Sequence, residues 1–426
     1  TFNAYRLSHL SHVNLQAMGF IPLLFLCLSR YLEEGQRRHL VGVGVFLWLV
    51  SASCAYYGVF TWTILAVALP YEIWRTGAFR LHRRIAALGL TIAVSAVAYL
   101  PLALPLMRLR RDFGFERPLE RVQRASARPI DYLRSGSHFH RAVGLEPPER
   151  GRSLFPGFVA LGLGFLALWH PTRRAGLYVL VGTFAAWASL GPGYGLYRWL
   201  HSYFPGVNGL RAPPRYSIFV IFALAVLAGM ATSWMLDRFH RWHRVALGSA
   251  LALFPLVESF AGPIPYTTAP EIPAVYRWLA SQPDPAPIVE MPLDWELYKN
   301  SIYLYWSTAH FQPIANGHST LVPPVFTEIR DSMEHFPDDE SVGRLRSLGF
   351  RYVILHREFY LRARALRIER AMSAYPGLDV AFRTETETVF EISPALSPMD
   401  RATAQHARLP LPLRPNVRRP TAFRTE

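Results

Sequence analysis

Residues 217–231 read SIFVIFALAVLAGMA, and no charged side chain occurs between Tyr216 and Leu236. A helix that packs one face on a soluble core needs a polar stripe on the other. This stretch has none, and neither does FVALGLGFLALW at 158–169. About twenty apolar residues suffice to cross the roughly 30 Å of hydrocarbon in a bilayer. Eight stretches suit that role: 15–32, 39–53, 56–74, 85–107, 153–169, 174–191, 216–236 and 244–260. The second is short, and SASCAYYG at 51–58 suggests one broken or re-entrant unit with the third. Pro101 and Pro105 fall late in the fourth, where proline is expected to kink the helix or move its end outward.

The apolar residues, 51% of a 426-residue chain of mean hydropathy +0.14, are clustered in the first 260 positions. The remainder has the mixed charge of a globular domain. The net charge is +15, and Lys299 is the only lysine, so the basic residues are almost all arginine. Such a balance suits nucleic acid, anionic lipid or phosphate-bearing molecules. Nothing resembles a nucleic-acid module, and the arginines flank apolar segments, where lipid headgroups lie. Cys27 and Cys54 both fall in apolar stretches, which argues against a disulfide framework or a cysteine metal site. No signal peptide is evident, and a chain opening on Thr1 within a patterned segment is expected to lack an N-terminal portion.

These features predict a mainly α fold: a polytopic membrane bundle of about eight helices followed by a small soluble α/β domain. The predicted boundaries are 1–262 for the helical domain, with outer loops 108–152 and 192–215, 266–395 for the α/β domain, and 398–426 for a disordered basic tail. An even number of spans puts both ends of the bundle on one side. The short connections RYLEEGQRRH, RTGAFRLHRR, HPTRRAG and DRFHRWHR are dense in arginine and are expected in the cytoplasm. The N-terminal segment, both outer loops and the α/β domain are then extracytoplasmic. In that domain APIVEMP (286–292) and RYVILH (351–356) have strand length and should pair. DVAFRTETETVFEI (379–392) reads as a hairpin or a pair of edge strands, and helices are expected near 271–281, 340–348 and 357–374.

Five segments in order along the chain carry a family resemblance: FNAYRLSHLSHVNLQAMGFIPLLFLCLSRYL, LFPGFVALGLGFLAL, FPGVNGLRAPPRYSIFVIFALAVLAG, PIANGHSTLVPPVF and LGFRYVILH. Together they resemble bacterial multi-spanning membrane glycosyltransferases of the C-type fold (GT-C). The resemblance implies an integral protein of the bacterial inner membrane that moves a sugar from a polyprenyl-phosphate-linked donor to a lipid, polymer or protein acceptor outside the cytoplasm. Such enzymes carry an acidic residue or pair in the loop after their first helix, as general base or metal holder. This chain departs from the pattern, since no such loop is present. The base is therefore unassigned, and no ligand set for a divalent metal is evident.

Arg211 and Arg215, in NGLRAPPRY, are the first substrate-binding candidates, because a guanidinium fork matches phosphate oxygens. Pro213 and Pro214 would stiffen that loop. The alternative is snorkelling to headgroups beside a helix end. Arg6, His9 and His12 form the second set, sharing one face if YRLSHLSHVN is helical. They could contact phosphate or shuttle a proton, or serve as a polar lead-in to the first span. A metal at His9 and His12 would need a third ligand. Tyr56 and Tyr57 read as interfacial anchors, and Glu258 as a hydrated helix-end carboxylate. Glu290, His310, Asn316 and His318 lie in the family-like stretches of the α/β domain. Asp338, Asp339 and Glu340 look like a metal-binding cluster but fit a helix start better. The 108–152 arginines, alternating with Asp112, Glu116, Glu120 and Asp131, read as a solvated amphipathic loop on the membrane.

Three functions compete at this level. The first is the glycosyltransferase, with Arg211 and Arg215 holding the leaving phosphate. The second is a transporter or flippase of lipid-linked intermediates, which charges buried in mid-helix would favour. The third is a non-catalytic membrane assembly protein. The partners expected are the polyprenyl-phosphate-linked donor and membrane lipids, without nucleic acid.

Overall fold

The structure, a computed structural model, describes residues 4–10, 12–112, 114, 116–147, 152–169, 172–263, 268–293, 297–317 and 322–393. The predicted tail at 398–426 lies outside the described residues. The chain divides into two compact units, Thr1–Ile264 and Pro265–Glu426.

The first unit is helical. In order it contains α1 (Ala4–Leu7), α2 (Phe20–Glu34), α3 (Arg37–Ser53), α4 (Ala55–Thr76), α5 (His82–Asp112), α6 (Leu119–Arg124), α7 (His138–Ala142), α8 (Phe158–Leu166), α9 (Arg173–Ser189), α10 (Leu196–Tyr203), α11 (Ser217–Leu236) and α12 (Arg241–Glu258). Every one of the eight apolar stretches holds a helix. Among the described residues three segments are long and apolar enough to cross a membrane: Val13–Glu34, His82–Asp112 and Pro213–Leu236. Helix α5 runs unbroken through Pro101 and Pro105 to Asp112, so neither proline ends it. It leaves Leu90, Val94, Val97, Leu102, Leu106 and Met107 exposed, a surface tolerable in lipid but not in water.

The corner between α3 and α4 is a single extended residue, Cys54 (φ −154°, ψ 115°). Gly58 makes the corner possible, because a Cβ there would sit 2.9 Å from the Ser51 Cα. The two helices turn back on one another, as the far ends show. Glu33, closing α2, accepts from Arg75 at the end of α4 (2.7 Å) and from Arg174 at the start of α9 (2.6 and 2.7 Å). Arg84, opening α5, donates to the Leu32 and Glu33 carbonyls (3.2 Å each). Arg75 also donates twice to fully buried Glu72, which accepts from Ser29 as well. A cavity of about 430 Å³ lined by Thr172, Arg174, Trp234 and Asp237 brings the end of α11 to the same place. The core between the two ends is aromatic and aliphatic, with Phe60 and Tyr216 stacked at 3.7 Å amid Phe25, Ile64, Val181 and Phe219.

In the 108–152 region Asp112, Glu116 and Glu120 are exposed as expected, but the region is more than a solvated loop. Val122, Ser126, Asp131 and His140 are buried rather than solvated. Bonds to distant chain hold it: Ala127 N–H to Ser189 O, Arg117 N–H to Asn208 O, His138 N–H to Phe260 O, and Tyr132 to Ser189 through their hydroxyls. Alternating charge signals a wet surface only where no such partners exist.

The second unit holds α13 (Ala274–Ala280), β1 (Ile288–Met291), α14 (Leu297–Trp306), α15 (Pro324–Ser332), α16 (Asp339–Ser347), β2 (Tyr352–His356), α17 (Arg362–Ala374), β3 (Leu378–Arg383) and β4 (Glu387–Ile392). The sheet order is β1-β2-β4-β3. β1 and β2 pair in parallel, Ile288 opposite Tyr352, while β4 runs antiparallel to β2 and β3. Helices cover both faces, which is why IVEM and YVILH are buried along their whole length. One face packs Val289, Val353, Leu355 and Phe390 against residues of α15 to α17; the other packs Ile288, Tyr352, Ile354 and Val389 against α13 and α14.

Candidate anion-binding site

The opening of α11 fixes two arginines. Proline has no N–H to leave unsatisfied in a first turn and its φ already suits one. Pro213 and Pro214 accordingly start a 3₁₀ turn, Pro213–Tyr216, that runs straight into α11. Both rings are buried, and Tyr216 is locked between Phe60 and Tyr197 with its hydroxyl 2.9 Å from Thr63 Oγ1. Arg215 is thereby held over the ring of Tyr56, its Cζ 3.9 Å from the centroid. The Tyr56 hydroxyl accepts from the Arg211 N–H at 3.4 Å. Tyr56 is thus a shelf for one arginine and a tie for the other, rather than only an interfacial anchor. Arg215 is half-buried and Arg211 exposed.

The N-terminal segment comes to the same place by a different route from the one its spacing predicts. Helix α1 stops at Leu7, and a turn and a 3₁₀ turn, Val13–Gln16, follow. Arg6, His9 and His12 therefore do not share a helical face. Polar bonds fold the segment instead: Arg6 Nε to Gln16 (2.8 Å) and Gln16 Nε2 to the His9 carbonyl (2.8 Å). It is pinned to the Cys54 corner by Tyr57, whose hydroxyl donates to the Leu15 carbonyl at 3.2 Å. His9 stacks on Tyr5 (4.5 Å) and meets the His12 ring at 5.9 Å. Burial lowers the pKa of His9, the bond to the Tyr5 carbonyl works against that, and the charges of Arg215 and His12 lower it further. His12 is lowered in turn by burial, Arg215 and Arg211. His9 thus feels the charge of Arg215, and His12 the charges of Arg215 and Arg211, while Arg6 has its Nε committed to Gln16.

Arg117 is a member that sequence reasoning missed. It is buried, fastened through its own N–H to Asn208 and through its carbonyl to His201. Burial depresses its guanidinium pKa, and the charge of Arg211 adds to that. No pattern in GFERPLE separates it from its many arginine neighbours. Among the described residues neither Arg211 nor Arg215 forms an ion pair with a carboxylate. Cations gathered in this way, with one guanidinium buried, make a site that an anion would complete. Among the described residues no group of three His, Cys, Asp or Glu side chains is placed to hold a metal.

No protein-family model matches this chain, and no curated protein matches its sequence.

The other candidates take structural places. Glu258 caps α8 from a hundred residues away, accepting from the Phe158 N–H. Gly157, just before α8, sits at φ +111°, a backbone conformation that residues with a Cβ rarely adopt. Asp338 is the N-cap of α16 in a capping box with Ser341, and Asp339 accepts from Tyr375 at 2.7 Å, so the acids open a helix. Glu290 is fully buried, bonded to His356 Nε2 at 2.8 Å and to the Tyr276 hydroxyl, while Asn316 pairs with its backbone (2.8 and 3.0 Å). His310 stacks on Tyr276 and is lowered by burial. His318 lies outside the described residues.

Proposed function

We propose that this chain belongs to a GT-C-like membrane glycosyltransferase that draws on a polyprenyl-phosphate-linked sugar and serves a lipid, polymer or protein acceptor outside the cytoplasm. One observation carries the reading: Arg211, Arg215 and Arg117 gather at one end of an apolar helical bundle, with no carboxylate among the described residues paired to the first two. A lipid-linked donor carries its phosphate at headgroup depth, where those groups would meet it. Arg215 and Arg211 hold the phosphate oxygens and stabilise the negative charge that grows on them as the bond to the anomeric carbon breaks. Tyr56 holds both arginines in register. The acceptor's proton leaves to a base that no described residue is assigned to be.

Eight membrane spans fit this reading. Arg75, Arg84 and Arg174 lie together around Glu33, so three of the arginine-rich connections share one end, and the cavity at Trp234 and Asp237 adds the fourth. That end is cytoplasmic by the positive-inside rule. The Arg215 end is then outer, and the chain leaves the first unit there, with Phe260 bonded to His138. Buried Glu72 is the feature that favours a transporter instead. It sits close to the end of α4 in a closed network with Ser29 and Arg75, as a fastening would.

The test is binding of farnesyl phosphate to the purified chain in detergent. Arg215→Ala and Arg211→Ala together should weaken it at least roughly tenfold, and lysine should restore it only in part. Equal affinity in the double alanine variant would defeat the assignment. Uptake of lipid-linked probe into vesicles, lost in Glu72→Gln, would favour the transporter.

A further inference from the structure

Helix α8 is too short to accompany its neighbours. Its nine residues and the 3₁₀ turn that follows, Ala167–Trp169, rise roughly 20 Å, while the twenty residues of α11 rise about 30 Å. The cavity of about 430 Å³ opens where α8 ends, beside the start of α9 and the end of α11. That volume falls within the usual range of small-ligand sites, roughly 300–1,000 Å³. Its floor is apolar. Ala167, Ala175 and Ala231 are buried there, one from each neighbouring element, with Leu166 and Met230 beside them. Three methyl-sized side chains leave space that leucines would close.

The rim is polar and carries both signs. Thr172 is the N-cap of α9, accepting from the Ala175 N–H at 3.1 Å, so the positive end of that helix dipole borders the cavity. Arg174, in the first turn, adds a full charge. It meets Glu33 with Nε and Nη2, which leaves Nη1 for an anion. On the α11 side Asp237 is the C-cap, where the dipole is negative, and Ser233 lies one turn before it. Among the described residues Asp237 forms no ion pair, and its neighbour Arg238 is turned onto Trp234, Cζ 3.6 Å from the ring centroid and bonded to the Trp234 carbonyl.

We propose that this cavity holds one molecule of phosphatidylethanolamine from the inner leaflet. An acyl chain lies on the alanine floor, the phosphate sits at the start of α9 beside Arg174, and the ammonium meets Asp237 and Ser233. The charge pattern selects that occupant. A phosphatidylglycerol headgroup would satisfy Arg174 but bring no cation to Asp237. A choline headgroup brings the cation but no N–H to donate, whereas the ethanolamine ammonium offers charge and three donors together. A lipid held in this way completes the packing that α8 leaves open. The proposal uses the membrane placement argued above but not the Arg211–Arg215 site at the other end.

The experiment places the full chain in phosphatidylcholine nanodiscs with a small share of phospholipid bearing a diazirine in one acyl chain. The headgroup of this probe is ethanolamine, choline or glycerol. After irradiation, peptide mapping compares labelling at Leu166, Ala167, Met230 and Ala231 with labelling at Val97 and Met107 on the exposed face of α5, which meets bulk lipid. The ratio of cavity to α5 labelling should be several-fold higher for the ethanolamine probe than for the other two. Asp237→Asn, at an exposed position, should bring that ratio down to the choline value. Asp237→Lys should give the glycerol probe the highest ratio. Equal ratios for the three probes in the unaltered chain, or a higher one for glycerol, would overturn the proposal and leave ordinary surrounding lipid at this face. Cavity labelling no stronger than that of α5 with any probe would overturn the site itself. An ethanolamine preference unchanged in both variants would overturn the placing of the ammonium at Asp237. Farnesyl phosphate binding should be unaltered in Asp237→Asn, so the failure of either site leaves the test of the other readable.

Discussion

Tyr56 and Arg215 illustrate how much one aromatic ring decides. A guanidinium over a tyrosine face gains about 0.5–2 kcal/mol, more as water is excluded. Tyr56→Leu should therefore weaken farnesyl phosphate binding roughly three- to tenfold by freeing Arg215, while Tyr56→Phe keeps the ring and should cost little. Near-equal losses in the two variants would assign the effect to the hydroxyl bond with Arg211. In the second unit, Tyr276 donates to a fully buried carboxylate. Tyr276→Phe leaves Glu290 short of a partner and should cost about 1.5–3 kcal/mol, read as faster hydrogen exchange in β1. Glu369 gives a pH dependence. Burial pushes its carboxyl pKa up, but bonds from Thr388 (2.6 Å) and Arg357 (2.7 Å), with Arg383 nearby, outweigh that and hold it low. Its stabilisation is complete above the ordinary carboxyl value of about 4.3 and is lost as pH falls through the lower folded value. Glu369→Gln should flatten the acid limb of α17 protection measured by exchange.

Among the elements, α16 and the α3–α4 corner give the sharpest tests. Asp338→Ala removes the capping box and should cost about 1 kcal/mol, a roughly fivefold rise in exchange at residues 340–342. Gly58→Ala drives a methyl against the Ser51 backbone and should cost about 1–3 kcal/mol, seen as a lower melting temperature in detergent. The apolar runs made the long helices legible, because a stretch such as SIFVIFALAVLAGMA leaves the chain few alternatives. IVEM and YVILH were legible as strands for the same reason. The 108–152 region was not, since its order depends on Ser189, Asn208 and Phe260, which spacing cannot reveal. YRLSHLSHVN misled in the opposite sense. Its periodicity suggested one helix, but Gln16 and the Tyr5 carbonyl offer closer polar partners and the chain turns. Arg211 and Arg215 stood out through their prolines, whereas Arg117 and Glu72 did not, because burial of a charge leaves no trace in sequence.

At the scale of the whole molecule, the two ends of the first unit differ in kind. One carries the arginine-dense connections, with Glu33 and Glu72 shared among Arg75 and Arg174. The other sets Arg211 and Arg215 side by side on Tyr56, and among the described residues neither is paired with a carboxylate. A cysteine placed at Thr76, in a chain lacking Cys27 and Cys54, should react with an impermeant maleimide only from the cytoplasmic side. One placed at Asn208 should react only from outside. A reporter active solely in the cytoplasm, fused after Ile392, should stay silent. Labelling of both cysteines from one side would reverse or abolish the assigned topology.

The bond from Glu258 to the first turn of α8 has a consequence for synthesis. A ribosome delivers Phe158 long before Glu258, so α8 must wait with its leading amides unanswered while α9 to α12 emerge. In hydrocarbon such amides are costly. A chain halted before Glu258 should therefore leave the first turn of α8 uncapped, and α12 supplies the clasp that closes it.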